Sequence, residues 1–471
     1  MLFQNLSFFL LCAVTFALYW RVPKARLWVL ALANAVFYVA AGWENLCLFL
    51  GASALTYALG QHVTGPRGKL VMWAGIVLNV ANLAFFKYAG FAATNLHALW
   101  PVPLLDPQVV SGLLLPIGIS FYTFQHISYL VDRRIKDLPP APNYLHFWVY
   151  ISFFGHSVAG PIMRGAEFFP QIAETIHKRL DGAELRYGLY LFGLGLFKKI
   201  AIADHLAPHV DAFFANPGGL SFGEAWAAAF LFAFRIYYDF SAYSDMAVGI
   251  GHMFGYKLAV NFRTPYVAAN ASEFWSRWHI TLSSWIRDYV YIPLGGNRVG
   301  VVHQQANLML AMLASGLWHG AAWTFVLWGA FHGALQVGQR GLKAVKDRLG
   351  WAVFGGRAYR ALAIGGFFVL TTYGWVLFRA TSLPDALTMM RTMLDVTNVG
   401  SVLAVKGVYL TIVGLYGLHW AEWAVREREA ELGAWWQARV PAIAQGAAYA
   451  AVVMWLMVVH SGGQDFIYFK F

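Results

Sequence analysis

The sequence predicts an all-α polytopic membrane protein with about eleven to thirteen helices, some of them interfacial or re-entrant, because a membrane span takes ~20 residues. Of its 471 residues, 59% are hydrophobic and only 12% are charged, whereas soluble domains carry about 25% charged residues. The mean hydropathy of the whole chain is +0.53, which is too high for a water-soluble surface. Membrane spans of ~20 residues with their connections account for the whole length, which leaves no room for a separate soluble domain. We therefore expect residues 1–471 to form one membrane-embedded domain.

Apolar runs bounded by polar residues, glycine or proline recur along the chain, and each of them predicts a helix. The runs cover residues 5–20, 26–43, 46–60, 69–86, 109–129, 144–160, 185–202, 222–253, 306–318, 323–338, 361–378, 408–423 and 442–460. The first run has no basic residue before it, and Arg21, Lys24 and Arg26 follow it. This order predicts a retained helix rather than a signal peptide, with its N-terminus outside and its basic end in the cytoplasm.

The formal net charge is +11, and the basic residues are concentrated at the ends of apolar runs. Three clusters occupy such positions: Arg133, Arg134 and Lys136; Lys198 and Lys199; and Lys343, Lys346 and Arg348. Basic residues at these positions set the orientation of membrane helices and contact anionic lipid headgroups. A nucleic-acid partner is therefore not expected.

The stretch from residue 261 to residue 298 differs from a spanning helix. Aromatic and aliphatic residues alternate there with charged or titratable ones, namely Glu273, Arg277, His279, Arg287, Asp288 and Arg298. Full charges are too costly in a lipid-exposed span, yet the stretch is too apolar for a solvated loop. It predicts helices that lie at the interface or re-enter the protein around a wet cavity. Their start is expected near residues 269–273 and their end at residues 293–297.

His319 has the most unusual surroundings of the fifteen histidines. Apolar sequence flanks it on both sides, and Gly316 and Gly320 are expected to leave open backbone around it. It is either a core side chain hydrogen-bonded to another helix or a general base, because a buried imidazole stays neutral and can accept a proton. His279 is the second candidate, since it lies in the charged stretch. His332 lies ~140° from His319 around a straight helix and need not share its face.

Other motifs are weaker candidates for function. The chain has no P-loop, H-E-x-x-H, EF-hand or dinucleotide fingerprint, and residues 155–159 lack the last glycine of a G-x-S-x-G elbow. Cys12 and Cys47 are too few for a disulfide framework or a cysteine zinc site, and we expect buried thiols. Arg235 and Asp239 are spaced for a buried ion pair on one helix, with Asp239 or Asp245 lining a polar tunnel as the alternative.

Several blocks of the sequence resemble the membrane-bound O-acyltransferase family, in particular its bacterial alginate O-acetyltransferase branch. The longest block is Phe274-Trp-Ser-Arg-Trp278-His279-Ile-Thr-Leu-Ser-Ser-Trp-Ile-Arg287-Asp288-Tyr-Val-Tyr291-Ile-Pro293-Leu-Gly-Gly-Asn297-Arg298. The second block is Leu317-Trp318-His319-Gly320-Ala-Ala-Trp323-Thr-Phe. Weaker similarities lie at residues 159–164, 238–245, 375–380 and 466–471. Together the blocks span nearly the whole chain in order, with a core signature region at about residues 230–340.

The resemblance implies a helical bundle around a transmembrane tunnel, in which a cytoplasmic acyl thioester meets a hydroxyl from the other side. His319 would be the catalytic base and His279 the second catalytic histidine. The residues implied to line the tunnel or contact substrate are Trp278, Arg287, Asp288, Asn297, Trp318 and Asp239.

The implied activity is O-acetylation of an exopolysaccharide such as alginate or cellulose, with acetyl-CoA as donor. The resemblance also implies a periplasmic acetyltransferase partner and a place in the bacterial inner membrane. No metal and no permanently bound cofactor are expected.

Two other functional classes stay open at this point. A polysaccharide or acyl-group transporter would use His279 and His319 as a proton relay, although the sequence lacks the paired internal repeats of many transporters. A scaffold that anchors a periplasmic enzyme would need neither histidine. Within the acyltransferase class, a D-alanyl group or a peptidoglycan acceptor is the alternative, and nothing in the sequence identifies the polymer.

Overall fold

The structure is a computed structural model that describes residues 3–100, 115–350, 356–399, 405–459 and 466–467. Within these ranges the chain is helical and forms no β-strand, so the predicted all-α fold is confirmed. Three parts of the predicted segments lie outside the described residues: residues 109–114 of the fifth run, residue 460 of the last run, and residues 468–471 of the final block.

Nineteen α-helices lie within the described ranges. The first ten are α1 (Leu6–Arg21), α2 (Arg26–Val39), α3 (Trp43–His62), α4 (Gly68–Leu99), α5 (Ile119–Ile135), α6 (Tyr144–Ser152), α7 (Gly165–Thr175), α8 (Gly182–Phe197), α9 (Asp204–Ala215) and α10 (Phe222–Met253). The others are α11 (Ala271–Trp275), α12 (Ile280–Ile286), α13 (Val301–His319), α14 (Trp323–Leu349), α15 (Arg357–Arg379), α16 (Leu383–Thr392), α17 (Lys406–Arg426), α18 (Glu429–Arg439) and α19 (Ala442–Val459).

The sequence predicted eleven to thirteen helices, and the number observed depends on the minimum length that is counted. Twelve of the described helices have 14 residues or more, and the shortest of these is α2. The other seven have 5 to 12 residues, and they form where an apolar run is interrupted or where the sequence between runs is amphipathic. Two π-helical segments, Lys198–Ala203 and Arg287–Tyr291, continue α8 and α12.

Among the described residues, three helices are long and apolar enough to cross a membrane: α4, α15 and α19. A fourth span results if α1 and the segment Pro23–Val39 are counted together, but that pair is bent by 118°. The other helices within the described ranges are either shorter than 18 residues or less apolar along their length. A helix that faces other helices tolerates polar side chains, whereas a helix that faces lipid does not.

The chain divides into two compact units, Met1–Gly195 with Tyr243–Val260 and Leu196–Ala242 with Asn261–Phe471. In the first unit, the Nδ1 atom of buried His126 lies 2.8 Å from Oδ1 of Asn79. In the second unit, α13 packs closely against α14 (see below). The expectation that residues 1–471 act as one domain stays a prediction.

Three basic residues predicted to contact lipid headgroups are buried instead. Arg133 donates to the carbonyl oxygens of Gly60 and Leu138. Lys198 and Lys199 form buried ion pairs, described below. The prediction was wrong at these positions because acceptors distant in the sequence surround the side chains, and a paired charge can be buried. Of the two cysteines, both predicted to be buried, Cys12 is buried but Cys47 is exposed.

Candidate active site

The predicted interfacial stretch contains two short helices instead of a spanning one. Asn270 caps α11, because its Oδ1 accepts the backbone N–H of Glu273 at 3.0 Å. The Glu273 carboxylate reaches back to accept the N–H of Ala269 at 3.0 Å. This reciprocal capping confirms the predicted helix start. The predicted end is also confirmed, since the π-helical segment after α12 finishes at Tyr291.

His279 lies in the connection between α11 and α12 and is fully buried. Its Nδ1 is 3.0 Å from Oδ1 of Asn261. The ring stands edge-on to Phe240 at a centroid distance of 4.7 Å and to Trp318 at 5.8 Å. Burial lowers the pKa of His279 to about 3, so the imidazole is neutral near neutral pH.

His319 is the last residue of α13 and is 3% exposed. Its ring lies edge-on to three aromatic rings, those of Trp318, Trp328 and Phe378, at centroid distances of 5.0, 5.1 and 5.0 Å. The described surroundings of this histidine are therefore largely aromatic, and the predicted water-lined passage to it stays a prediction.

The glycines near His319 bring backbones together instead of leaving space. A Cβ atom on Gly316 would lie 2.3 Å from the carbonyl oxygen of Phe325, and one on Gly320 would lie 2.1 Å from the Phe325 ring. The expectation of open backbone around His319 was thus wrong. Glycine is required because α14 packs directly against the end of α13, and this contact fixes the position of His319.

The two histidines are neighbours in the structure. Their ring centroids are 6.5 Å apart, although 40 positions separate them in the sequence. A pair of buried imidazoles at this spacing can accept a proton from one group and donate or accept a hydrogen bond at a second group between or beside the rings. Such a pair is chemically suited to a proton-coupled group transfer.

A family model decides the class of the protein. The model, described as MBOAT, membrane-bound O-acyltransferase family, matches residues 77–370, a range that includes both histidines. The chain belongs to the membrane-bound O-acyltransferase family. This family member is therefore a membrane protein and an acyltransferase, and its reaction uses an acyl donor.

Relatives of this family member are similar over most of its length. It is 38% identical over 396 residues to the probable alginate O-acetylase AlgI of Azotobacter vinelandii, which covers 83% of this chain and 77% of the relative. It is 37% identical over 403 residues to the peptidoglycan O-acetyltransferase of Helicobacter pylori, and the match covers 79% of this chain and 74% of the relative. The probable alginate O-acetylase AlgI of Pseudomonas aeruginosa is 38% identical over 403 residues, and the match covers 83% of this chain and 74% of the relative.

Trp278 and Trp318 lie close to the histidine pair. Trp318 contacts both rings, as described above. Trp278 is buried and packs against Phe262 and Trp375, with ring centroids 5.1 and 4.7 Å away. Phe262 in turn lies 6.2 Å from the His279 ring. Trp318 thus contacts the histidine pair directly, whereas Trp278 packs behind Phe262, and a role of either tryptophan toward substrate stays a prediction.

The other predicted tunnel residues make polar contacts of their own. Arg287 is 62% exposed at its side chain and its Nε lies 2.7 Å from Oδ1 of Asp288. Asn297 accepts hydrogen bonds from the Tyr291 hydroxyl at 2.7 Å and from the Gln304 amide at 2.6 Å. A role of these residues toward substrate stays a prediction.

Asp239 belongs to a buried ion pair, but not with the partner that the spacing predicted. It pairs with Lys199 at 2.7 Å, whereas Arg235 pairs with Asp211 at 2.6 Å. The predicted Arg235–Asp239 pair is wrong, because each side chain meets an opposite charge from another helix or segment. The alternative role of Asp239 as a tunnel-lining residue stays a prediction.

Sequence reasoning missed Asn261, which binds the ring of His279. An uncharged amide in an apolar stretch carries no signal of chemistry, so composition and spacing do not single it out. It also missed Glu422, whose carboxylate accepts hydrogen bonds from Lys198, Tyr237 and Arg426. A lone acidic residue in an otherwise apolar helix is the signal that would have identified Glu422.

Proposed function

We propose that the protein transfers an acetyl group from a cytoplasmic thioester, acetyl-CoA, across the bacterial inner membrane for O-acetylation of an exopolysaccharide. The observation that carries this proposal is the pair of buried imidazoles, His279 and His319, with ring centroids 6.5 Å apart. Two of the relatives described above are named as alginate O-acetylases, which favours acetyl as the group and an alginate- or cellulose-like polymer as the acceptor.

In the proposed reaction His319 is the general base. One of its ring nitrogens takes the proton of an acceptor hydroxyl as the hydroxyl oxygen attacks the thioester carbonyl carbon. The C–O bond forms, the C–S bond then breaks, and the proton passes to the departing thiolate, which leaves as a free thiol. A general base of this kind contributes typically 10²–10⁴-fold to the rate, and positioning and stabilisation of the oxyanion supply the remainder.

His279 is the second catalytic histidine of the proposal. It is neutral and within 6.5 Å of His319, so it can orient the acceptor by accepting a hydrogen bond from one of the acceptor's hydroxyl groups. Trp278 and Trp318 exclude water from the reacting groups, which strengthens these polar interactions. Arg287, Asp288, Asn297 and Asp239 are proposed to shape the cavity and the approach of the donor.

The partners and the domain organisation belong to the same proposal. We expect a periplasmic acetyltransferase to receive the acetyl group or to act on the polymer. The whole chain, residues 1–471, would act as one membrane-embedded acyltransferase domain, with its signature region at about residues 230–340.

Peptidoglycan is a second candidate acceptor. The Helicobacter pylori relative is named a peptidoglycan O-acetyltransferase, and its similarity to this chain is close to that of the alginate O-acetylases. A glycan hydroxyl is the nucleophile in either case, so the chemistry at His319 does not distinguish the two polymers. The two acceptors are distinguished by measuring O-acetyl groups separately in the exopolysaccharide and in the cell wall.

The direct test replaces His319 with alanine in the cells that make the polymer. We expect polymer O-acetylation to be abolished while the protein accumulates in the membrane as the parent does, because the base is lost and the helix is kept. His303→Ala is the matched control, since His303 is exposed on the same helix. Normal O-acetylation in the His319→Ala cells, at normal protein abundance, would contradict the proposal.

A further inference from the structure

We infer that Asn261 is a positioning residue that fixes the tautomer of His279, so that the ring presents an unprotonated Nε2 to the reacting groups. The inference rests on the proposed function, because it concerns the second histidine of that site. Asn261 is buried and its side-chain oxygen lies 3.0 Å from Nδ1 of His279.

The hydrogen bonds of Asn261 show which of its side-chain atoms faces the ring. The same atom, Oδ1, lies 3.3 Å from the backbone nitrogen of Thr281 and 3.0 Å from its hydroxyl. A backbone N–H can only donate, so the atom that it meets must be the amide oxygen. The orientation of the amide is therefore fixed by the backbone and does not depend on the histidine.

An amide oxygen can only accept a hydrogen bond, which determines the state of the histidine nitrogen. Nδ1 of His279 must carry the proton that it donates to Asn261. In a neutral imidazole the other nitrogen, Nε2, is then unprotonated and acts as the acceptor. Since burial keeps the ring neutral, His279 has a basic nitrogen and cannot act as a donor at Nε2.

Asn261 also holds the backbone next to the histidine. Its carbonyl oxygen accepts the N–H of Ile280 at 2.9 Å, so Asn261 binds both the ring of His279 and the peptide N–H that follows it. His279 itself has φ +40°, a left-handed conformation that is strained for a non-glycine residue. The contacts with Asn261 maintain this conformation and thereby the direction of the ring.

The test compares three variants of the full-length protein in lipid nanodiscs, with acetyl-CoA as the donor and purified acceptor polymer. Asn261→Ala removes the acceptor for Nδ1, so both tautomers form and the ring loses its direction. We expect kcat to fall about 10- to 100-fold with little change in KM. Thr281→Val is the matched control, because it removes one hydrogen bond to the same oxygen and leaves the His279 bond; its kcat should stay close to that of the parent.

Asn261→Asp provides a readout that a purely structural role would not affect. An aspartate oxygen still accepts from Nδ1, so we expect most of the kcat at high pH to return. Its negative charge stabilises the imidazolium and raises the pKa of His279, which should move the acid limb of the pH–rate profile upward by about 1–3 pH units. His319 on α13 is a titratable neighbour of His279, whereas Phe240, Phe262 and Trp318, whose rings also face His279, do not titrate.

The outcomes separate this inference from the proposed function. Loss of activity in His319→Ala together with parental kcat in Asn261→Ala would overturn only the role of Asn261. The role of Asn261 would also be overturned by equal losses of kcat in Asn261→Ala and Thr281→Val, or by an unshifted pH–rate profile in Asn261→Asp. Either result would indicate a purely structural effect. Nitrogen-15 NMR of histidine-labelled protein is an activity-free check, and it should show Nδ1 of His279 protonated in the parent.

Discussion

His332 illustrates how a buried histidine can be structural. Its ring is stacked on Phe274 at 5.8 Å and lies edge-on to Trp275 at 5.2 Å and to Trp328 at 4.8 Å. Within the described part of the chain neither ring nitrogen has a hydrogen-bond partner. The contacts of His332 are thus those of an aromatic side chain in a core, and no donor or acceptor holds it for proton transfer.

We therefore expect His332→Phe to retain acetyl transfer, whereas His319→Phe abolishes it. A phenyl ring occupies the same space and removes two buried polar atoms, each of which costs about 1–3 kcal/mol when it has no partner. The melting temperature of His332→Phe in detergent should equal or exceed that of the parent. Loss of activity in this variant, at parental abundance and melting temperature, would place His332 in the reaction.

At the candidate site, the sequence predicted the residues whose type carries chemistry but not the contacts that hold them. His279 and His319 could be selected because imidazoles are rare in apolar surroundings and the family resemblance points to both. Asn261 could not be selected, since its importance comes from one hydrogen bond across 18 positions. Similarly, the space beside Gly316 and Gly320 depends on where Phe325 packs, and a linear pattern does not contain that information.

Among the helical elements, the π-helical segment Lys198–Ala203 directs two consecutive lysines into the protein. Lys198 pairs with Glu422 on α17. Lys199 lies 2.8 Å from Asp204 and 2.7 Å from Asp239 on α10. The other oxygen of Asp239 accepts the backbone N–H of Ile467 at 2.6 Å. The cluster of Lys199, Asp204 and Asp239 thus connects three separate parts of the chain.

We expect Lys199→Met to be strongly destabilising, by about 3–5 kcal/mol, because it leaves two buried carboxylates without their cation. Lys343→Met is the matched control, since Lys343 is exposed. Thermal unfolding followed by tryptophan fluorescence should show a large loss for the first variant and almost none for the second. Adding Asp239→Asn to Lys199→Met should restore part of the loss, and no restoration would contradict this account of the cluster.

These ion pairs also show which contacts of the helices could not be predicted from the sequence. Run lengths and composition predicted the long helices, because the apolar character of a helix is local in sequence. Arg235 and Asp239 looked like a pair because they are four residues apart, yet each pairs with a side chain from another element. The ion-pair partner of a buried side chain depends on tertiary packing. Residue spacing can therefore indicate which charges are buried but not which charges they pair with.

At the scale of the whole molecule, orientation in the membrane follows from the first two helices. α1 has 16 residues, a length of about 24 Å, and the chain bends by 118° before it continues into α2. Arg21 and Lys24 are exposed at this bend, whereas Arg26 is buried and donates to the carbonyl oxygens of Tyr19, Thr175 and Lys178. Only the exposed pair is available for the positive-inside rule, which on this basis predicts a cytoplasmic position for the bend.

Cysteine labelling tests this orientation in a background in which Cys12 and Cys47 are replaced by alanine. We expect a membrane-impermeant maleimide to label Lys24→Cys in inverted membrane vesicles but not in spheroplasts, because the positive-inside rule predicts a cytoplasmic bend. Asn5→Cys is the matched control, because Asn5 is exposed just before the other end of α1 and should show the opposite pattern. Labelling of Lys24→Cys from outside would reverse the orientation of the chain, and the donor thioester would then have to reach the histidine pair from the opposite face.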